Sequence, residues 1–122
     1  MQSLNFTIFY VTDIAASVAF YAGLFGRPPV DQSPAFAMFG FDNKTMLGLW
    51  RGENVVPPAT AGSGGSEIVF VVADNDAVDR AHAGWVDHGF TIGLPPTDRE
   101  FGYSTIVLDP DGHRIRVMKP NN

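Results

Sequence analysis

The feature that most constrains the fold is an internal repeat. IFYVTD at 8–13 matches VFVVAD at 69–74, and Gly23 matches Gly84, each at an offset of 61 residues. Each half then continues with a helix and two or three further strands. A chain of 122 residues suits one ordinary domain and is too short for two independent ones. The repeat therefore predicts one α+β domain of two paired βαβββ modules, with curved mixed sheets around a cleft and the helices outside.

The composition between the repeats suggests where the modules end. We predict module 1 at about residues 1–52 and module 2 at about residues 67–120. ENVVPPATAGSGGS at 53–66 has the composition of a flexible linker. RPPVDQSP at 27–34 is predicted to be a loop, because consecutive prolines continue neither a helix nor a central strand.

Local signals bound the predicted helices. Asp13 is suited to cap the first helix and Gly26 to end it, and the second helix is expected to end at Gly89. Near the C-terminus, DPDG at 109–112 has the chemistry of a tight turn. A strand is predicted after that turn.

The formal net charge of −5 and the scattered eight Lys and Arg residues predict neither a nucleic-acid nor a membrane partner. With no cysteine, the chain has no disulfide, no thiolate catalysis and no zinc–cysteine site. The N-terminus lacks the basic region of a signal peptide, and no apolar run approaches the ~18 residues that span a bilayer. The expected location is the cytoplasm.

Strand alternation divides the predicted sheets into two faces. If the uniformly aliphatic sides face the helices, the cleft face collects Phe6, Tyr10, Met46, Trp50, Glu67, Arg114 and Arg116. Aromatic and apolar side chains with a few polar groups are the usual lining of a small-molecule pocket. Alternation alone leaves another interpretation open, in which the apolar members are ordinary core and the two arginines are solvated edge residues.

The quoted motifs resemble a known family. FYVTDIAASVAFYAGLFG, the repeat and LDPDGHRIRV resemble the vicinal oxygen chelate superfamily, which includes glyoxalase I, extradiol dioxygenases and bleomycin-resistance proteins. The resemblance covers essentially the whole chain, and it is specific for the fold more than for the function. SPAFAMFGF, LGLW and FGYSTIVLDPDGHRIRV look most like the phenazine-antibiotic resistance proteins of that superfamily, which are metal-free dimers that bind a flat tricyclic antibiotic.

The resemblance also locates the metal-ligand positions of the metal-dependent members. They fall at Phe6, Gly48, Glu67 and Arg116. Only Glu67 can bind a cation, because a phenyl ring and a glycine offer no lone pair and Arg stays protonated. We therefore predict no metal, no cofactor and no catalytic residue. We also predict that Arg116 approaches Glu67, so that a charge pair replaces the metal, or that Arg116 pairs with an acidic ligand.

The three histidines do not supply an alternative metal site. His82 and His88 belong to the second predicted helix, outside the cleft, and His113 follows the DPDG turn. A facial triad of two His and one carboxylate needs convergent side chains, and these positions do not converge on Glu67. We expect His82 and His88 to be helix-flank residues and His113 to be a turn residue, with a contact at the cleft rim as the alternative for His113.

The sequence is compatible with three functions. The first is a metal-free binding protein that sequesters a planar aromatic compound, such as a phenazine-like antibiotic, and the resemblance implies a homodimer. The second is a metal-dependent enzyme of the glyoxalase or dioxygenase type, and the third is an interaction module with a self-filled cleft. The predicted ligand-binding residues are Trp50, Phe6, Phe36, Met38, Met46, Gly48, Glu67, Tyr103, Thr105, Arg114 and Arg116.

Overall fold

The computed structural model describes residues 3–121 and divides the chain into two compact units. Unit 1 extends to Gly62, and unit 2 begins at Ser63. Unit 1 contains β1 (Phe6–Val11), α1 (Ile14–Phe25), β2 (Asp31–Gln32), β3 (Phe36–Gly40), β4 (Met46–Arg51) and a 3₁₀ turn (Gly52–Asn54). Unit 2 contains β5 (Glu67–Val71), α2 (Asn75–Asp87), β6 (Thr91–Arg99), β7 (Gly102–Leu108) and β8 (Arg114–Pro120).

Each unit has the predicted order of one strand, one helix and three strands. The strand order is β1-β4-β3-β2 in one sheet and β5-β8-β7-β6 in the other. In both sheets the first and last strands of the unit run parallel, and the remaining pairs are antiparallel. The prediction of an α+β fold with mixed sheets is confirmed.

The repeat also holds at the helix starts. Asp13 caps α1 by accepting a hydrogen bond from the Ala16 amide at 3.3 Å, and Asp74 caps α2 through the Ala77 amide at 2.8 Å. Gly26 ends α1 with a φ of 69°, a left-handed conformation that glycine adopts without a steric penalty. Capping residues, which act within one helical turn, therefore determine these helix ends.

In unit 1 the core lies between α1 and one face of the sheet. Tyr21 of α1 is fully buried, and its ring centroid lies 6.3 Å from that of Phe39 on β3. The sheet contributes Phe9, Val11, Ala37, Phe39, Leu47 and Leu49 to this core. Because neighbouring residues of a strand point to opposite faces, the residues between them lie on the face away from α1.

Unit 2 is built in the same way. Val78 and Trp85 of α2 are buried, as are Val107 and Ile115 on the central strands β7 and β8. Neither α1 nor α2 is long and apolar enough to cross a membrane.

Two segments differ from the predictions. The predicted loop at 27–34 contains the short strand β2, in which Asp31 and Gln32 pair with β3 at the edge of the sheet. This is possible because the two prolines precede the strand, so its amides remain free to pair. The predicted linker at 53–66 begins inside the 3₁₀ turn, and Val55 after it is buried.

Candidate functional site

Four rings form a continuous aromatic surface on the sheet face away from α1. We call Phe6, Tyr10, Phe36 and Trp50 the aromatic face. The ring centroids of Phe6 and Phe36, of Phe36 and Trp50, and of Tyr10 and Trp50 each lie 6.4 Å apart. The strand register explains this order, because Trp50 on β4 lies directly between Tyr10 on β1 and Phe36 on β3.

The aromatic face depends on a glycine at position 48. A Cβ atom there would lie 2.7 Å from Cε1 of Phe6 and 2.9 Å from Cζ of Phe36, so the two rings occupy the space that a side chain would need. The rings nevertheless stay accessible, since Phe6 is 41% and Tyr10 is 44% exposed. Six predicted ligand-binding residues lie on this one face, namely Phe6, Phe36, Met38, Met46, Gly48 and Trp50.

In unit 2 the DPDG turn sets the start of β8. The Asp109 carboxylate accepts hydrogen bonds from the backbone amides of Asp111 at 2.9 Å and His113 at 2.8 Å, and Gly112 has a φ of 88°. The chain then enters β8 with Arg114 directly opposite Leu108 on β7. Arg114 and Arg116 therefore lie on the face away from α2, where alternation placed them.

Arg116 forms the predicted pair with Glu67. Its Nε donates to Oε1 of Glu67 at 2.6 Å and its Nη2 donates to Oε2 at 3.3 Å. Its Nη1 donates to Oγ of Ser104 at 2.7 Å. The side chains of Arg116 and Glu67 are only 22% and 27% exposed, so water screens this pair less than a surface pair. The predicted approach of the two charges is confirmed.

The pair lies in a groove of about 740 Å³ within unit 2, which we call the β8 groove. Its floor is formed by alternate residues of β5, β7 and β8, and the β6–β7 turn closes one end. The lining residues are Glu67, Val69, Gly93, Leu94, Arg99, Glu100, Phe101, Gly102, Ser104, Ile106, Leu108, Arg114, Arg116 and Met118.

Tyr103 and Thr105 do not belong to this groove, which corrects their predicted placement. Both lie on the side of β7 that faces α2. The Tyr103 hydroxyl donates to Oδ1 of Asp79 at 2.6 Å, and this hydrogen bond is the main reason that the pKa of the phenol is raised above its ordinary value of 10.0. Thr105 is fully buried and donates to the carbonyl of Leu94 at 2.8 Å.

Assigning β7 to the wrong face also left Ser104 out of the predicted ligand-binding residues. β7 is apolar on both sides near its end, at Ile106 and Val107, so alternation alone does not orient it. The hairpin register orients it, because Leu108 pairs with Arg114 and facing residues of antiparallel strands share a side. Counting back from the DPDG turn in steps of two residues identifies Ile106 and Ser104 as groove residues.

The histidines lie where the sequence placed them with respect to the helix. His82 is on α2 with its Nδ1 3.4 Å from the Thr105 hydroxyl, on the helix side of the sheet. His88 caps the end of α2, and its Nδ1 lies 2.9 Å from the carbonyl of Gly84. His113 is buried within the β7–β8 turn. None of the three lines the β8 groove or belongs to the aromatic face, as these are defined within residues 3–121.

The four positions that correspond to metal ligands do not suit a divalent cation. In unit 1 the ring of Phe6 covers Gly48, and neither residue offers a donor side chain. In unit 2 both carboxylate oxygens of Glu67 accept hydrogen bonds from Arg116, whose fixed positive charge would repel a metal. Among residues 3–121, no group of three His, Asp or Glu side chains could hold a metal ion.

The two units thus fill equivalent slots in different ways. Phe6 pairs with Met46 in the strand register as Glu67 pairs with Arg114, and Gly48 and Arg116 each follow two residues later. An aromatic ring packs over the glycine in unit 1, and a carboxylate binds the guanidinium in unit 2.

Comparison with known proteins gives a consistent family. A model of the Glyoxalase/Bleomycin resistance protein/Dioxygenase superfamily matches residues 3–117. Phenazine antibiotic resistance protein EhpR of Enterobacter agglomerans is 28% identical over 116 residues, which cover 93% of this chain and 88% of that protein.

Two solved structures share the fold over nearly the whole chain. Protein ATC0852 from Agrobacterium tumefaciens has 39% sequence identity and a TM-score of 0.86, with 100% of both chains covered. A glyoxalase-related enzyme from Fulvimarina pelagi has 23% identity and a TM-score of 0.85, covering 98% of this chain and 88% of that one. With the βαβββ repeat and the family match over residues 3–117, the chain belongs to the glyoxalase/bleomycin resistance protein/dioxygenase superfamily.

Proposed function

We propose that this protein binds a planar aromatic small molecule, such as a phenazine, without the help of a metal ion. The observation that carries the proposal is the aromatic face, whose four rings adjoin one another outside the core of unit 1. Contiguous exposed apolar side chains mark binding surfaces more often than they mark ordinary protein surface.

Trp50 has the central role in this proposal. Tyr10 and Phe36 hold the indole from two sides, each with an interplanar angle of 80°. A ring fixed before the ligand arrives loses little conformational freedom on binding. Offset stacking of a flat ligand contributes about 0.5–1.5 kcal/mol beyond the burial of apolar area, and a tricyclic compound offers more stacking surface than an aliphatic one.

The metal-free part of the proposal is supported by the chemistry of the ligand positions. Phe6 and Gly48 lack donor atoms, and the carboxylate of Glu67 is already bound by Arg116. The resistance role is supported by likeness to the phenazine antibiotic resistance protein of Enterobacter agglomerans. A sequestering role in the cytoplasm would then protect the cell by lowering the concentration of free antibiotic.

The test is a titration of metal-stripped protein with phenazine, followed by tryptophan fluorescence and by calorimetry. Trp50→Ala is expected to weaken binding about tenfold or more, since tenfold corresponds to ~1.4 kcal/mol. Trp85→Phe is the matched control, because Trp85 is the second tryptophan and is buried against the sheet of unit 2. That variant should keep both the affinity and the quenching.

Two results would overturn the proposal. One is the absence of saturable phenazine binding, and the other is an affinity unchanged by Trp50→Ala. Binding or turnover that appears only after a divalent metal is restored would instead support a metal-dependent enzyme, and it would contradict our interpretation of Phe6, Gly48 and Arg116.

A further inference from the structure

The charges in the β8 groove are not evenly balanced. Arg116 donates three hydrogen bonds, two to Glu67 and one to Ser104, so a neighbouring carboxylate compensates its charge. Arg114 lies two residues earlier on the same face and is exposed. Within residues 3–121 its guanidinium has no hydrogen bond or ion pair, although Glu67 faces it in the strand register. The carboxylate that faces Arg114 in the strand register is therefore engaged by the other arginine.

Arg114 stands at one end of the groove beside an apolar wall. Leu108 faces Arg114 across the β7–β8 pair. Arg116 is the next residue of β8 on the same face, and it is flanked by Val69 on β5 and Ile106 on β7. The remaining charges of the groove, Arg99 and Glu100, adjoin the β6–β7 turn, which faces the other end of β8. Six residues of strand separate the two ends, a distance of about 20 Å.

We propose that the β8 groove binds a small monocarboxylate with an apolar body. The carboxylate pairs with the guanidinium of Arg114, which can donate two parallel hydrogen bonds to it, and the apolar body lies along Val69, Ile106 and Leu108. Two arginines and one glutamate leave a single positive charge on this part of the floor, which matches one negative charge. A dianion is disfavoured by Glu67 and by the net charge of −5. This inference does not depend on ligand binding at the aromatic face.

The test compares two ligands that differ only in charge. The full chain is titrated calorimetrically with cyclohexanecarboxylate and with cyclohexanecarboxamide at low ionic strength, because a non-planar ring does not stack on the aromatic face. The wild type is expected to bind the carboxylate about three- to fivefold more tightly, as is typical of a partly exposed charge pair. Arg114→Gln should reduce this ratio to about one by weakening the carboxylate alone, and Arg114→Lys should restore part of it.

Lys119→Gln is the matched control, because it removes the same charge from β8 on the side that faces α2. It should keep the wild-type ratio. The proposal fails if neither ligand binds the wild type or if Arg114→Gln keeps the wild-type ratio. It also fails if Arg114→Gln and Lys119→Gln lower the ratio equally, since that result would mean only long-range attraction. A failure of the proposed phenazine function has a separate readout, namely the binding of a neutral phenazine in the Trp50→Ala titration.

Discussion

At the scale of single residues, the guanidinium of Arg116 is held by charge, because it donates two hydrogen bonds to the carboxylate of Glu67. Glu67→Gln keeps the shape of the partner and removes its charge, leaving a guanidinium in a groove with less compensation. We expect this substitution to lower the free energy of unfolding by about 1–3 kcal/mol, below the 3–5 kcal/mol of a fully buried pair because both side chains retain some contact with water. Urea unfolding measures the loss.

The matched control for this prediction is the exposed pair of Arg51 and Glu53. Its side chains are 45% and 66% exposed. Glu53→Gln should cost at most about 0.5 kcal/mol, since solvent screening and side-chain entropy offset most of the attraction. Equal losses for Glu67→Gln and Glu53→Gln would show that the groove does not shield the Arg116 pair.

The phenol of Tyr103 should make the free energy of unfolding depend on pH in the alkaline range. Its phenol donates to Asp79, and both Asp79 and Asp98 repel the ionised form, so its pKa is raised above 10.0. A group with a raised pKa in the folded state contributes stability that is fully present below its unfolded pKa. We expect that contribution to disappear as the pH rises through the raised folded pKa.

The measurement is the free energy of unfolding as a function of pH for the wild type and Tyr103→Phe. The difference between the two proteins should be constant up to about pH 10 and then shrink. Asp79→Asn should lower the pH at which the Tyr103 phenol ionises. Parallel stability curves above pH 10 would exclude a folded-state contribution from this hydroxyl.

At the scale of elements, the sequence predicted helix ends correctly where residues within one helical turn determine them. Asp13 and Gly26 lie at the ends of α1 as predicted, because capping depends only on neighbouring backbone groups. The orientation of Tyr103 was wrong because its strand is apolar on both faces and only its register with β8 settles the question. The two-residue strand β2 is too short to give an alternation pattern at all.

Most of the candidate site could be predicted from strand alternation. Phe6 and Trp50 lie on strands with one clearly aliphatic side, so alternation identified their face. Ser104 could not be found from its own strand, and its hydrogen bond to Arg116 required the hairpin register. Strand alternation placed Arg114 on the correct face. Which of the two arginines binds Glu67 depends on three-dimensional geometry, and the structure shows that it is Arg116.

Helix α2 contains a glycine whose replacement should stabilise the protein. A Cβ at Gly84 would meet no atom within 4 Å. Gly84→Ala should raise the free energy of unfolding by about 0.5–1 kcal/mol, because alanine loses less backbone entropy on forming a helix. Thermal or urea unfolding measures this gain.

Gly89, just beyond the same helix, supplies the control. It also has open space around it, but its φ is +75°, in the left-handed region. Gly89→Ala should therefore destabilise by about 1–2 kcal/mol. Opposite signs at Gly84 and Gly89 would show that backbone conformation rather than available space separates them, and a loss at both positions would contradict the prediction for α2.

For the whole molecule, we propose that two copies associate into a homodimer. β1 and β5 lie at the edges of their sheets, and Ile8, Val69 and Val71 on them are 40%, 42% and 66% exposed. An edge strand has unpaired backbone groups, and exposed apolar side chains beside them mark a surface on which another chain can pack. Sedimentation at micromolar concentration should then give twice the chain mass of 13.2 kDa.

Charge and apolar burial act in opposite directions on this association. Each copy has a formal charge of −5, so two copies repel each other at low ionic strength. If apolar side chains hold the dimer, added salt should tighten it by screening that repulsion, whereas a dimer held by ion pairs would weaken.

Val71→Glu should raise the dissociation constant of the dimer about tenfold or more, since it places a charge in an apolar contact. Val86→Glu, at an exposed valine of α2, should change it little. A monomeric wild type, or equal effects of the two substitutions, would reject association through β5.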